Sequence, residues 1–262
     1  MALVALGLVA ALTLNLTSTP PLWHDEGWTL LVARNWIERD YYGQINGGEL
    51  QSPGLSAAFP LVAAVAFSFR ILGVGVWQGR LVGVMFTLGA LSLLYLFAAK
   101  LYNRRIAFGT LFAALLMAPH LATNPIYMGR QVMAELPMLF FVVGGYVCLF
   151  LALRQPAWVL AVAVAWGLGL SAKAQLLPFW LASLIIPSGF LFIRKEWRLA
   201  GILAGCLVGG YYFSEGVTFF QGYLLRGHTT PGVPLDGLVE AVALTTARPA
   251  RQAALSMTLL AG

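Results

Sequence analysis

The chain has 262 residues, of which 60% are hydrophobic and 10% charged, with a mean hydropathy of +0.80. An ordinary soluble domain carries about a quarter of its residues as charges, so this composition excludes one, and lipid is the solvent for most of the chain. The net charge of +6 and pI near 9.6 would suggest nucleic acid in a soluble protein. In an apolar chain they read instead as topology signals and a site for an anion, not a nucleic-acid surface.

Backbone groups in lipid must find partners within the chain, so spanning segments are helices or closed barrels. The apolar runs here are long and unbroken, which selects helices. They fall at about 1–16, 54–69, 80–99, 106–122, 136–153, 157–172, 174–193, 199–220 and 252–262. The expectation is an all-α fold: a polytopic transmembrane helical bundle of about seven to eight spans with an outer amphipathic juxtamembrane helix. Residues 1–262 read as a single module.

Run 1–16 has no basic segment before it and is read as a retained first helix, not a secretory signal. In the polar stretch that follows, Asp25 to Arg39 reads as a short amphipathic helix with Asp25 as its N-cap. Trp23, Trp28, Trp36, Tyr41 and Tyr42 suit a headgroup-level belt, so this helix is expected to lie along the membrane surface. Run 54–69 is shorter than the roughly 17 residues a span needs, and Pro60 is expected to interrupt it. It is read as a horizontal or re-entrant piece.

That reading places Lys100, Arg104, Arg105, Arg154, Arg194, Lys195 and Arg198 inside, as the positive-inside rule favours. The first outer loop, 17–79, then shares one outer face with the loops at 123–135 and 221–251 and with Lys173. That face carries Asp25, Glu26, Arg34, Arg80, Arg130, Glu135, Lys173, Arg226 and His228. Gly201, Gly205 and Gly209 are spaced as a helix-packing stripe. Cys148 and Cys206 lie in different apolar runs and act as small hydrophobes. The last run stops at Gly262, and the chain is expected to be a truncated N-terminal module.

Three places carry candidate chemistry. Asp25 and Glu26 follow the first helix at the interface; the plainer reading is a helix cap with a solvated neighbour. Glu135 enters a membrane helix beside Arg130; ionisable groups at that depth usually line a cavity or pair, although a local pair at a helix N-terminus also accounts for it. Lys173 stands between two apolar helices, where it can snorkel or hold a phosphate.

The pattern resembles the GT-C superfamily of membrane glycosyltransferases, nearest to the protein O-mannosyltransferases and the lipid A aminoarabinose transferases. The residues that carry the likeness are His24-Asp25-Glu26-Gly27 in a long loop after the first helix, Leu50 to Leu55 around Pro53, and Gly79-Arg80-Leu81 opening a helix. They continue with Tyr102 to Ala107 as an inner turn, Arg130 to Pro137 as a second acidic loop, and Gly169 to Pro178 around Lys173. Ser52 stands where the family often has a basic residue, and Trp28 where it has an arginine.

The resemblance implies an inverting hexosyl or pentosyl transferase. It would move a sugar from a polyprenyl-phosphate donor to a lipid, glycan or protein acceptor outside the cell membrane. It makes Asp25, Glu26 and Glu135 the expected catalytic acids. Arg80, Arg130, Lys173 and His24 become the expected phosphate and substrate ligands. Two carboxylates are candidates for a divalent cation, with no tight ligand motif present. The main alternative is a multi-pass transporter with ionisable residues along its pathway; it predicts repeats and mid-span charges, and neither is visible. A membrane subunit without activity is a third reading.

Overall fold

The computed structural model describes residues 2–53, 57–116 and 124–226. The expected run at 252–262, the loop from 227 to 251 with His228, and the end of the run at 106–122 lie outside the described residues. Ten α-helices and one β-hairpin follow in chain order. They are α1 Ala2–Thr13, α2 His24–Arg39, β1 Gln44–Asn46, β2 Glu49–Gln51, α3 Phe59–Leu72, α4 Val76–Leu101, α5 Arg104–Leu116, α6 Pro125–Gly129, α7 Glu135–Ala152, α8 Val159–Ala172, α9 Leu177–Ile193 and α10 Trp197–Arg226. The fold is all-α apart from that hairpin.

Three helical stretches among the described residues are long and apolar enough to cross a membrane: Val76–Leu101, Glu135–Ala152 and Ala174–Ile193. At 26 residues, α4 extends about 39 Å, more than a hydrocarbon core of about 30 Å. At 14 residues, α3 reaches only about 21 Å.

Contacts fix which helix ends lie together. An added Cβ at Gly83, in the second turn of α4, would stand 2.4 Å from the carbonyl oxygen of Gln131. Only glycine admits that backbone, so the start of α4 lies against the loop that leads into α7. Glu135, first residue of α7, pairs with Lys173 just after α8. The starts of α4, α7 and α9 and the end of α8 therefore share one end of the bundle. Lys100, Arg104, Arg105, Arg154, Arg194, Lys195 and Arg198 sit exposed at the turns of the opposite end.

Helix α3 lies across the first end. Its opening residue Phe59 meets Phe220 late in α10 at 5.3 Å between ring centroids. Near its close, Ser68 donates to the carbonyl of Gln78 in the first turn of α4 at 2.8 Å. Pro60 does not interrupt the helix, as its position in the run suggested; it occupies the first turn, where the missing N–H costs nothing. Val32, Ala33, Tyr42, Leu61, Val62, Val65, Val82 and Val132 make a core between this layer and the bundle. A second core joins α7 to α10 around Trp166 and Trp180.

The glycine stripe in α10 packs only in part. Gly209 lies against Ala163 of α8, with an added Cβ at 2.9 Å from that methyl, whereas nothing stands within 4 Å at Gly201 or Gly205. Cys148 and Cys206 are free thiols, as their apolar settings imply.

Candidate functional site

The site end is assembled from four segments: the close of α1, the first turn of α2, the start of α4 and the loop 130–135. Helix α1 stops at Thr13, with Asn15 in the left-handed region at φ 54°. The last carbonyls of a helix have no partners within it; here two arginines hold the carbonyls of the closing turn of α1 and of the chain just after it. Arg130 donates Nη1 to Ala11 O at 3.1 Å and Nη2 to Leu14 O. Arg80 donates Nη1 to Leu16 O at 2.9 Å. Cations at a helix C-terminus are also favoured by its dipole.

Helix α2 starts one residue earlier than expected, at His24, with extended Trp23 as its N-cap. Asp25 is thus within the first turn and does not cap it. Glu26 at the third position reaches back to accept from the Trp23 N–H at 3.4 Å. Beyond α2, the chain turns through Asp40 in the left-handed conformation. The hairpin then closes on Gly47 and Gly48, with φ of 60° and 89°, which only a two-residue turn of the mirror-image type requires. Buried side-chain bonds hold this cap: Asn35 Nδ2 to Gly43 O at 2.9 Å and Tyr42 OH to Ala57 O at 2.9 Å. Burial pushes the Tyr42 phenol above its ordinary range.

Glu26 is fully buried, and so is Arg80. Arg80 donates Nε to Glu26 Oε1 at 2.7 Å and Nη2 to Oε2 at 2.8 Å. Glu26 Oε1 also accepts from the Val132 N–H at 3.2 Å. This bond is the junction between the first acidic segment and the second, because Val132 lies three residues before Glu135. The two loops expected to share a face do meet.

Asp25 is half-buried, and its carboxylate has no hydrogen bond or ion pair among the described residues. Its backbone carbonyl accepts from Thr29 Oγ1 at 3.1 Å, an ordinary helical bond. His24 is exposed, with its ring 4.3 Å from that of Trp28. Glu135 and Lys173 form a half-exposed pair. Glu135 Oε2 and Arg130 Nε are buried atoms without a partner among the described residues. Of the expected phosphate ligands, Arg80 has all three nitrogens engaged and no exposed surface, whereas Arg130 and Lys173 keep polar capacity. No cluster of three His, Cys, Asp or Glu side chains occurs among the described residues.

Sequence reasoning passed over Glu215. It stands in the apolar stretch of α10, one turn after Tyr211, with which it interacts. Ser214 beside it is linked to Ser171 by a 3.3 Å hydroxyl contact, which puts this turn next to the end of α8. A carboxylate inside an apolar helix was the available signal.

Residues 58–210, more than half of the chain, match the profile of a dolichyl-phosphate-mannose-protein mannosyltransferase family. No curated protein and no solved structure shows a significant match. The matched region takes in Arg80, Arg130, Glu135 and Lys173.

Proposed function

The chain belongs to the dolichyl-phosphate-mannose-protein mannosyltransferase family and is an integral membrane glycosyltransferase, and on that premise we propose that it moves a sugar from a polyprenyl-phosphate-linked donor to an acceptor outside the membrane. The acceptor is a hydroxyl on a lipid, glycan or protein, and the sugar a hexose or pentose. The bundle has about seven to eight spans and sits in the cell membrane with its active face outward.

The chemistry follows from the donor. A glycosyl phosphate carries its own leaving group, so the enzyme must deprotonate the acceptor and hold the departing phosphate. The acceptor oxygen attacks the anomeric carbon as the carbon–oxygen bond to phosphate breaks, with inversion. The hydroxyl proton passes to Asp25, and polyprenyl phosphate leaves with the bonding pair. Lys173 and Arg130 take its charge, with His24 at the exposed rim. Glu135 holds Lys173 and orients the acceptor. The lipid tail explains why such an enzyme is embedded in the bilayer.

The observation that carries this reading is the difference within the acidic pair. Glu26 has no bonding capacity left, while Asp25 beside it has an open carboxylate. The test is transfer by the full-length protein in proteoliposomes, with a labelled polyprenyl-phosphate sugar. Losing a general base costs about a hundred- to ten-thousand-fold in rate, and Asp25→Asn is expected to lose that much while folding and binding donor normally. Glu135→Gln loses less, and Glu38→Gln almost nothing. Wild-type turnover in Asp25→Asn ends the assignment. Solute flux without sugar transfer in the same vesicles would point to a transporter instead.

A further inference from the structure

We infer that Glu26 and Arg80 are positioning residues: together they form a buried, charge-neutral clamp that sets Asp25 against the loop carrying Glu135, and neither touches the substrate. The inference rests on the reading of Asp25 as the base.

The argument is one of bonding capacity. An ionised carboxylate has about four acceptor sites. Glu26 fills four, with Arg80 Nε at 2.7 Å, Arg80 Nη2 at 2.8 Å, Val132 N at 3.2 Å and Trp23 N at 3.4 Å. No site is left for an acceptor proton or a cation. Arg80 has each of its three nitrogens engaged, the third donating to Leu16 O at 2.9 Å, which uses three of its five N–H groups. Both side chains are essentially without exposed surface, at 0% and 1%. A phosphate could reach this guanidinium only by breaking the pair.

The bonds also have a direction. They come from four segments: the chain after α1, the start of α2, α4 and the loop before α7. Asp25 is the residue preceding Glu26, so any shift of the Glu26 carboxylate turns the first helical turn and moves the base. A misplacement of about 1 Å in a reacting group can cost about a hundredfold in rate.

The planar fork of Arg80 discriminates between a clamp and a phosphate ligand, because lysine can serve a phosphate as a point charge but cannot reproduce two parallel bonds to a carboxylate. Turnover is therefore measured per folded molecule, across donor concentrations, for Arg80→Lys, Arg80→Gln, Glu26→Gln and the Glu26→Gln/Arg80→Gln double variant. In Arg80→Lys and both glutamine singles, kcat is expected to fall about a hundredfold, with the donor KM unchanged. The double variant buries no lone charge, so it is expected to lose far less than the product of the singles. A raised donor KM with kcat intact in Arg80→Gln, or normal turnover in Arg80→Lys, overturns the clamp. So does unchanged kcat per folded molecule in all the singles, which would make the pair purely structural.

If the single variants do not fold, the double variant carries the comparison, and hydrogen exchange on the wild-type protein supplies an independent reading. The Trp23 and Val132 amides are expected to exchange slowly and together; fast exchange at either overturns the proposal. Asp25→Asn separates the two ideas. Normal turnover there would remove the base, while the same two amides would still report on the clamp.

Discussion

Glu26–Arg80 and Glu135–Lys173 are both acid–base pairs at the same end of the molecule, yet they live in different solvents. The first is closed off entirely, with side-chain exposures of 0% and 1%, and every polar atom is bonded. The second keeps 30% and 28% of its side-chain surface, and one Glu135 oxygen has no partner among the described residues. A charge pair sealed in protein can fix geometry but cannot meet a substrate. A pair that is half open can exchange its partner for a phosphate. The same two residue types thus serve as framework in one place and as chemistry in the other, and burial decides which.

The largest effect expected from this contrast is on stability. Removing one partner of a sealed pair leaves an uncompensated buried charge, at a cost of about 3–5 kcal/mol. Glu26→Gln and Arg80→Gln should each destabilise by that amount in detergent unfolding. The double variant should recover most of it, since replacing a whole buried pair is often neutral. Losses of under about 1 kcal/mol in both singles would place the pair in water and dissolve the contrast.

Tyr42 tests whether the cap as a whole is sealed or only the ion pair. Its hydroxyl donates to Ala57 O at 2.9 Å and has no exposed surface. Tyr42→Phe leaves that carbonyl unsatisfied, at a cost of about 1–3 kcal/mol. The pH dependence has a definite sign. Burial raises the native phenol above its ordinary value of 10.0, so the unfolded chain ionises first. Stability from this group is complete below pH 10 and falls as pH rises beyond it. Tyr42→Phe should remove that alkaline decline, and a decline of equal size in the variant would assign it elsewhere.

What the sequence could show of this arrangement follows from the range of the forces involved. The apolar runs behind α4, α7 and α9 were legible because lipid imposes length and hydropathy on each helix separately. The shared face of Asp25 and Glu135 was legible through charge asymmetry, a property of whole loops. The partnership of Glu26 with Arg80 was not, because 54 residues separate them and nothing local marks the contact. Nor could the sequence show that Glu26 and the Leu16 carbonyl engage all three nitrogens of Arg80, or that Arg130 donates to the Ala11 and Leu14 carbonyls with its Nε left over among the described residues. Two local signals were readable, the first passed over and the second misjudged. Gly47-Gly48 between short alternating stretches is a hairpin turn, and proline near a run's start opens a helix as easily as it breaks one.

The half-open pair comes next in size. Lys173→Gln should cost roughly 1 kcal/mol or less in stability, since solvent screens much of the attraction. Its effect should appear instead as weakened use of the donor, with KM raised more than kcat is lowered. Lys173→Arg should restore donor use, since either cation can hold a phosphate. A stability loss as large as that of Arg80→Gln would show that Lys173, too, is framework.

The smallest effect closes the series on α2 itself. Arg34 and Glu38 are one turn apart, with Nε and Oε2 at 2.8 Å, and side-chain exposures of 56% and 37%. In distance this pair equals the sealed one, so distance alone would assign them the same worth. An exposed pair at this spacing contributes about 0.3–0.5 kcal/mol, because water solvates both charges before and after they meet and because two long side chains lose freedom. Salt at 0.15 M, with a screening length near 8 Å, weakens it further. Arg34→Gln should therefore shift unfolding by no more than that, with the shift shrinking as salt is added, and turnover should be unchanged. The Arg80→Gln loss, out of reach of solvent, should hardly respond to salt. Equal salt dependence in the two variants would show that water reaches both pairs alike, and burial would no longer separate the framework of this site from its chemistry.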